Sequence, residues 1–298
     1  MAYRNIVISS NVHLGIKNEQ LIVSGEADGS VPVEDIRTLL IESRTATIST
    51  YALSFLAQKG VCVYVCDDKH LPCGILTPFS QHSRQKKQIE LQFAQTKPKL
   101  KNIWSEIVVF KILNQAKCLE LCNKDEETVR KIRGLSKRVL SGDTTNVESQ
   151  AAAMYFLSLF GRDFSRNDET SINFALNYGY AIIRGYICRT IAKYGFEPSV
   201  GIHHCSQLNN FNLADDLIEP FRPIVDLFVA KNVKEEFDKK ARMEIVNILN
   251  YEILINNEKH SVAYAIELVV QSLINNFTGE KNRLSLPILM DLLIHEYE

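Results

Sequence analysis

The chain is 298 residues long, 46% hydrophobic and 23% charged, with a formal net charge of −1. Such a length suits two domains of ordinary size, and the near-neutral balance excludes binding to nucleic acid through global charge alone. Its seven cysteines are odd in number and form no CxxC pair, which argues against a zinc ribbon or a secreted disulfide framework.

The opening MAYRNIVISS lacks the apolar core of a signal peptide, and no apolar run approaches the roughly 18 residues of a membrane helix. A reduced, soluble, cytoplasmic protein is the expectation. RNIVISS, VHLGIK, EQLIVSG and RTLLIES are short aliphatic segments punctuated by Asn, Gly, Asp and Pro, the pattern of strands and turns. TYALSFLAQKG reads as a helix with Ser49 as N-cap and Gly60 past its end, followed by a buried strand, VCVYVC. Pro and Gly in LPCGILTP (71–78) mark a linker. From Ser80 onward the period changes: SEIVVFKILNQAKCLELC, ESQAAAMYFLSLF, SINFALNYGYAIIRGYICRTIAKYG, RMEIVNILN and VAYAIELVVQSLINNF carry apolar stripes at three and four spacing. The fold class is therefore α+β, with a small β-rich domain over 1–76 and a larger all-α domain over 77–298.

Between His82 and Leu140 fourteen Lys and Arg, Lys111 among them, stand against six acids, an excess of eight positive charges. This segment suits a polyanion held by counterion release, or else a set of solvated helix faces.

The densest chemistry lies in GIHHCSQLNNFNLADDLIEPFRP (201–223). Leu213, Leu217 and Phe221 recur four apart as one apolar helical stripe, and Asp216 and Glu219 lie three apart on one face. Two carboxylates about 5–6 Å apart at Cβ each raise the other's cost of ionisation unless a cation sits between them. Asn212 is a good N-cap, and Asp215 and Asp216 suit a first helical turn, so these acids also fit a plain helix start. Pro220 biases Glu219 away from the α region and predicts that the helix bends or ends there. His204 lies just upstream, and Glu148 opens an apolar helix in which Ala151, Ala152 and Ala153 allow close approach of a partner helix. One imidazole with two or three carboxylates is an oxygen-rich set suited to Mg²⁺ or Mn²⁺ rather than zinc. Such a cation polarises a phosphoryl oxygen, and the basic segment makes a nucleic-acid phosphodiester the natural substrate.

These residues carry a resemblance. The chain resembles the CRISPR-associated spacer integrase, the first of the two core proteins of CRISPR adaptation, in the short form that accompanies type II systems. MAYRNIVISS followed by LGIKNEQLIV resembles the N-terminal hairpins of that form, while NVESQAAAMYF, INFALNYGYAIIR, and GIHH followed by FNLADDLIEPFRPIVD resemble its helical-domain motifs in order. The resemblance implies a β-sandwich-like N-terminal domain for dimerisation and DNA-end contact, and a helical catalytic domain. It implies homodimers, two of them around one dimer of the small second adaptation protein, in a prokaryotic cytosol, with the type II effector nuclease as a further candidate partner. The implied substrates are double-stranded DNA with 3′ overhangs and CRISPR repeat DNA, joined by metal-dependent transesterification. Carried over by motif, Glu148, His204 and Glu219 are the metal ligands, and Asp216 is a further ligand or a proton acceptor. Glu219 stands where many members have Asp, which keeps the charge and changes the reach.

Other residues keep two readings. His203 is structural or faces DNA; Asn173, Asn177, Tyr178 and Tyr180 touch DNA or hold the site helices; Arg222 pairs with a site carboxylate or a phosphate; Cys205 reads as a small buried residue. Asn11 and His13 are expected at the tip of the first hairpin, where they would split an incoming duplex. Against the integrase stand two alternatives, a non-catalytic DNA-binding scaffold dimer and another metal-dependent phosphodiesterase or small-substrate phosphohydrolase. The last lacks a GxxxxGK phosphate cradle.

Overall fold

Alternate burial along the N-terminal segments is what makes them strands: in VHLGIK, Val12 and Leu14 are buried while His13 between them is exposed. The computed structural model describes residues 3–76, 83–233 and 236–296, and it divides into two units, Met1–Gln81 with Tyr297–Glu298, and His82–Glu296. In the first unit β1 (Arg4–Ile8), β2 (Val12–Lys17), β3 (Gln20–Gly25), β4 (Gly29–Pro32), β5 (Ile36–Ile41) and β6 (Thr47–Ile48) precede α1 (Thr50–Gln58), β7 (Cys62–Cys66) and β8 (Pro72–Leu76). They form two four-stranded sheets, ordered β1-β5-β7-β8 and β4-β3-β2-β6. Their inner faces share one core, Ile8, Ile36, Leu39 and Val63 from one sheet and Val12, Leu14 and Leu21 from the other, closed by Leu56 of α1. Ser49 caps α1 as expected, its side chain accepting from the Ala52 N–H.

Two readings of this unit need correction. LPCGILTP is not only a linker: Pro72–Leu76 is an edge strand antiparallel to β7, and its proline sits first, where no ladder donor is lost. Thr77 and Pro78 lie outside the described residues. Asn11 and His13 are not at the hairpin tip either. The β2–β3 turn is Asn18–Glu19, both at positive φ as a tight hairpin turn requires. His13 Nδ1 instead lies 2.9 Å from Thr47 Oγ1 on β6.

The second unit contains α2 (Gln85–Phe93), α3 (Lys97–Leu121), α4 (Glu126–Leu135), α5 (Val147–Phe160), α6 (Ser171–Lys193), α7 (Asn212–Ile218), α8 (Arg222–Asn232), α9 (Lys239–Ile245), β9 (Glu252–Ile255), β10 (Glu258–Ser261) and α10 (Val262–Thr278). The 25-residue α3 packs against α4, α5, α8 and a 3-10 turn at Glu219–Phe221. It buries residues on most of its circumference, from Trp104 and Ile107 to Asn114 and Leu119, so it is the central helix rather than an amphipathic surface one. Gly179 lets α6 close on α8 and α9, since a Cβ there would lie 2.6 Å from Val225 Cγ1 and 2.9 Å from Ile245 Cδ1.

The expectation of an all-α second domain is corrected by β9 and β10, an antiparallel hairpin. Ile253 and Ile255 bury on alternate positions, and Asn256 and Asn257 take the positive φ of the turn. EILINNEKHS thus carries a hairpin signal that helical periodicity on both sides of it masks. Among the described residues no helix is long and apolar enough to cross a membrane.

Candidate active site

Glu148 sits in the first turn of α5 because Asp143 fixes that helix end. The buried Asp143 carboxylate accepts from the Val147 N–H at 2.9 Å and from the Glu148 N–H at 3.0 Å, satisfying two of the unpaired donors of the helix start. Ala151 is buried, α3 and α4 both pack on α5, and α3 presents Lys111 to Glu148.

Glu219 opens the 3-10 turn between α7 and α8. As Pro220 predicts, α7 ends at Ile218, but the Glu219 backbone itself stays helical (φ −52°, ψ −46°), contrary to the bias expected from that proline. Packing overrides that bias: Pro220 and Phe221 are buried, and the Pro220 carbonyl accepts from Asn114 Nδ2 of α3 at 2.7 Å. The cap expectation for Asn212 also fails. Phe211 holds the N-cap position, and the Asn212 amide donates to the carbonyls of Ser199 and Ser206, tying α7 to the preceding loop. Asp215, on the same turn, pairs with Arg184 at 2.7 Å.

The loop carrying the histidines is wrapped around Asp216. That carboxylate is fully buried and accepts from the N–H groups of Ile202 (2.5 Å), His203 (3.1 Å) and His204 (3.1 Å), and pairs with His204 Nδ1 at 2.8 Å. With its oxygens accepting three backbone N–H groups, Asp216 accepts from Nδ1 as well, and Nε2 is the ring nitrogen left for another partner. Hydrogen bonding to Asp216 raises the His204 pKa, against a lowering by burial, with Glu219 and Asp215 adding to the rise. Only glycine fits at 201, since a Cβ would collide with the His204 carbonyl and lie 2.8 Å from Asp216 Oδ2. His203 stacks on Trp104 with centroids 4.2 Å apart and planes 2° from parallel, which anchors the loop to α3.

The two glutamates meet at one cation. Lys111 Nζ donates to Glu148 Oε1 at 2.5 Å and also contacts Glu219 Oε2, while Arg222 Nε donates to Glu219 Oε1 at 2.8 Å. Burial would raise the Glu219 carboxyl, yet Arg222 and Lys111 outweigh it and hold it at about 2. Burial would likewise lower the Lys111 ammonium, and Glu219 and Glu148 reverse this so that it is raised. Glu219 is 6% exposed and His204 42%, so the site opens to solvent on the imidazole side.

The structure thus brings Glu148 and Glu219 to one point, while His204, whose imidazole pairs with Asp216, is linked to Glu219 through the influence of that charge on its pKa. Arg222 pairs with the carboxylate and lies over the Tyr180 ring at 4.6 Å. Tyr178, Tyr180 and Asn173 are buried holders of the helices, whereas Asn177 is exposed and accepts from Arg166. Cys205 is exposed, not buried as expected, because the loop turns its outer side to solvent after His204. The basic segment splits as well. Its first residue, His82, lies outside the described residues; Lys86, Lys117, Lys131 and Arg133 pair with acids on helix surfaces, Lys99 reaches the Asn276 carbonyl, and Lys111 is buried in the site. Sequence reasoning missed Lys111, Trp104 and Asp143 as site residues. The available signal for Lys111 was a lysine inside the apolar run VVFKIL.

The family model described as CRISPR associated protein Cas1 matches residues 6–254. The CRISPR-associated endonuclease Cas1 of Neisseria meningitidis serogroup C (strain 8013) is 39% identical over the whole of both chains. The chain belongs to the Cas1 family. With the family comes the activity class expected from the sequence, a DNA endonuclease and integrase of CRISPR adaptation. Among solved structures, a casposase bound to integration product superposes with a TM-score of 0.76 at 19% identity, covering 94% of this chain and 92% of that one. A partial Cas6-RT-Cas1–Cas2 complex gives 0.62 at 17%, covering 97% and 99%. At such identities these two show the fold, which is that of Cas1 proteins.

Cas1 chemistry raises the question of a metal, and the donor set answers it in part. Among the described residues no three His, Cys, Asp or Glu side chains are grouped closely enough to hold an ion as they stand. Two carboxylates nevertheless converge on a single cationic atom, and Glu219 Oε2 is buried with no hydrogen bond of regular geometry besides that ion pair. Two carboxylate oxygens and one imidazole nitrogen suit a hard divalent ion, so the residue types fit.

Proposed function

We propose that this Cas1-family protein joins the 3′-hydroxyl ends of a short DNA duplex to a CRISPR array by transesterification, using Glu148, Glu219 and His204 Nε2 to hold Mg²⁺ or Mn²⁺. The observation that carries the reading is the convergence of Glu148 and Glu219 on one cation position beside an imidazole that Asp216 orients. When bound, the ion would neutralise charge on the phosphoryl oxygens during an in-line displacement.

The chain's own residues do the rest. In the reaction the attacking 3′-oxygen forms a new bond to phosphorus, the 3′-oxygen of the cut strand leaves, and one proton passes from the first oxygen to the second. Phosphodiester bonds are conserved in number, so no nucleotide co-substrate is needed. Asp216, fully buried with its oxygens taken by N–H donors, acts as the orienting group for His204 and its loop, not as a ligand or proton acceptor. Arg222 keeps Glu219 ionised and fixed. His204, on the open side, is the group through which substrate and solvent reach the site.

The proposed partners are DNA and the small second adaptation protein, supported by a casposase bound to integration product and by a Cas6-RT-Cas1–Cas2 complex among the solved structures; the homodimer, two of which would flank a dimer of that protein, the 3′ overhangs and the CRISPR repeat DNA are proposed from the sequence resemblance. The experiment is a strand-transfer assay with a duplex bearing free 3′-hydroxyls, a supercoiled repeat plasmid and the small partner, run with Mn²⁺, with EDTA and with Glu219→Ala. Joined product that needs both metal and Glu219 supports the reading. Equal product in EDTA, or equal product from the variant, removes it and moves the scaffold reading ahead.

A further inference from the structure

Lys111 occupies the place on which the two glutamates converge. It projects from the middle of α3, between Phe110 and Ile112, and its ammonium contacts Glu148 and Glu219 while its side chain is only 11% exposed. An ammonium is tolerated at such depth only with good partners, and a cation between the buried Glu219 and the part-exposed Glu148 offsets the repulsion of two carboxylates brought to one point. Each half of the arrangement therefore requires the other.

Counting charge gives the consequence. Glu148 and Glu219 are balanced by Lys111 and Arg222, so the cluster is neutral before any divalent ion arrives. An ion held by the same two carboxylates would lie within a few ångströms of the ammonium, where like charges repel strongly. One of the two cations must give way. Arg222 is fixed from two sides, by its hydrogen bond to Glu219 and by the Tyr180 ring beneath it. Lys111 is a compact charge on a flexible four-carbon stem, able to withdraw without moving α3.

We propose that Lys111 is a resident counter-cation of the metal site: it holds Glu148 and Glu219 together in the metal-free protein and competes with the divalent ion for their oxygens. The inference rests on the metal reading above and adds a residue whose effect on metal affinity is opposite in sign to that of a ligand. Lys111 is a positioning residue, and its removal should tighten metal binding while weakening the metal-free fold.

The test uses the full-length protein without DNA, measuring Mn²⁺ affinity by titration calorimetry and free Mn²⁺ by electron paramagnetic resonance, with thermal melting in EDTA and in Mn²⁺. The variants are Lys111→Met, Lys111→Gln and, as a ligand control, Glu148→Gln. Wild type should bind Mn²⁺, both Lys111 variants should bind roughly tenfold tighter, and Glu148→Gln should bind more weakly. In EDTA the Lys111 variants should melt below wild type, with Mn²⁺ closing the gap. Lys111→Gln keeps hydrogen-bonding capacity without charge, so the comparison stands even if Lys111→Met does not fold without metal. Unchanged or weaker Mn²⁺ binding in the Lys111 variants, with wild type binding normally, overturns this inference alone. A wild type that binds no Mn²⁺ overturns the metal reading and this inference together.

Discussion

Two buried carboxylates seven residues apart, Glu219 and Asp226, meet opposite surroundings. Glu219 faces two cations and is held at about 2, with burial opposing and Arg222 and Lys111 prevailing. Asp226, inside α8, faces the phenols of Tyr155 (2.8 Å) and Tyr180, and burial pushes it up to about 6 although both hydroxyl bonds pull the other way. Arg222 stands between the two clusters, paired with one carboxylate and stacked on the tyrosine that serves the other. Burial alone raises any carboxyl; whether the partner brings a full charge or only a dipole decides if it stays an anion. The first arrangement keeps a charge ready for a cation, and the second holds α5, α6 and α8 together.

The sharpest way to break this contrast is on the reaction. Glu219→Ala, Glu148→Ala and His204→Ala should each lower strand transfer by at least about a hundredfold, while circular dichroism shows the helical fold retained. Activity within a few-fold of wild type in any of the three would erase the difference in role between Glu219 and Asp226.

Amide replacements sharpen the contrast on stability. Glu219→Gln leaves Lys111 and Arg222 short of a counter-charge in a buried place, and should cost about 3 kcal/mol at pH 7 in denaturant unfolding. Asp226→Asn removes a charge whose burial is disfavoured, and should be near neutral or stabilising at pH 7. The pH profile carries the sign. Asp226 has a folded pKa above its unfolded one, so the folded state binds the extra proton between about pH 4 and 6, and stability from this group rises as pH falls through that window, by about 3 kcal/mol in all. Asp226→Asn should abolish that rise. Glu219 contributes in the other direction, with stability present above about pH 4.5 and lost as pH falls toward 2. Identical profiles for the two amide variants would show that the partners do not set the difference.

Smaller effects are expected where the imidazole loop is held. His203→Ala removes the stack on Trp104, and should cost about 1 kcal/mol and a few-fold in strand transfer through looser placement of His204. Trp104→Leu should match it in strand transfer and cost more stability, because the buried indole also leaves a cavity, and a double-mutant cycle isolates the shared contact. Gly201 bounds the same loop: Gly201→Ala places a methyl against the His204 carbonyl and Asp216, and rescue of activity is not expected from any larger residue.

Much of this was legible beforehand. Strand alternation in VHLGIK, the Ser49 cap of α1 and the stripes of α5, α6 and α10 are local signals, and local periodicity reports which side of an element is buried. Glu148, His204, Asp216 and Glu219 stood out as acids and an imidazole at suggestive spacing. The β9–β10 hairpin was missed because its four-residue strands are flanked by strong helices, and the Glu219 backbone was misread because a proline's bias is weaker than the packing of Pro220 and Phe221 against α3.

The amino-acid sequence by itself determined most of the element types, the acidic and imidazole residues available for chemistry, and membership in the Cas1 family, since periodicity, caps and motif order are properties of neighbouring residues. Only the tertiary structure decided that Lys111, lost among fourteen basic residues in a surface-like tally, is the buried partner of Glu148 and Glu219, that Asp216 is spent on orienting His204, and that Asp226 is held by phenols. Those assignments depend on which helices meet, and the electrostatics of a buried group is set by neighbours distant in sequence.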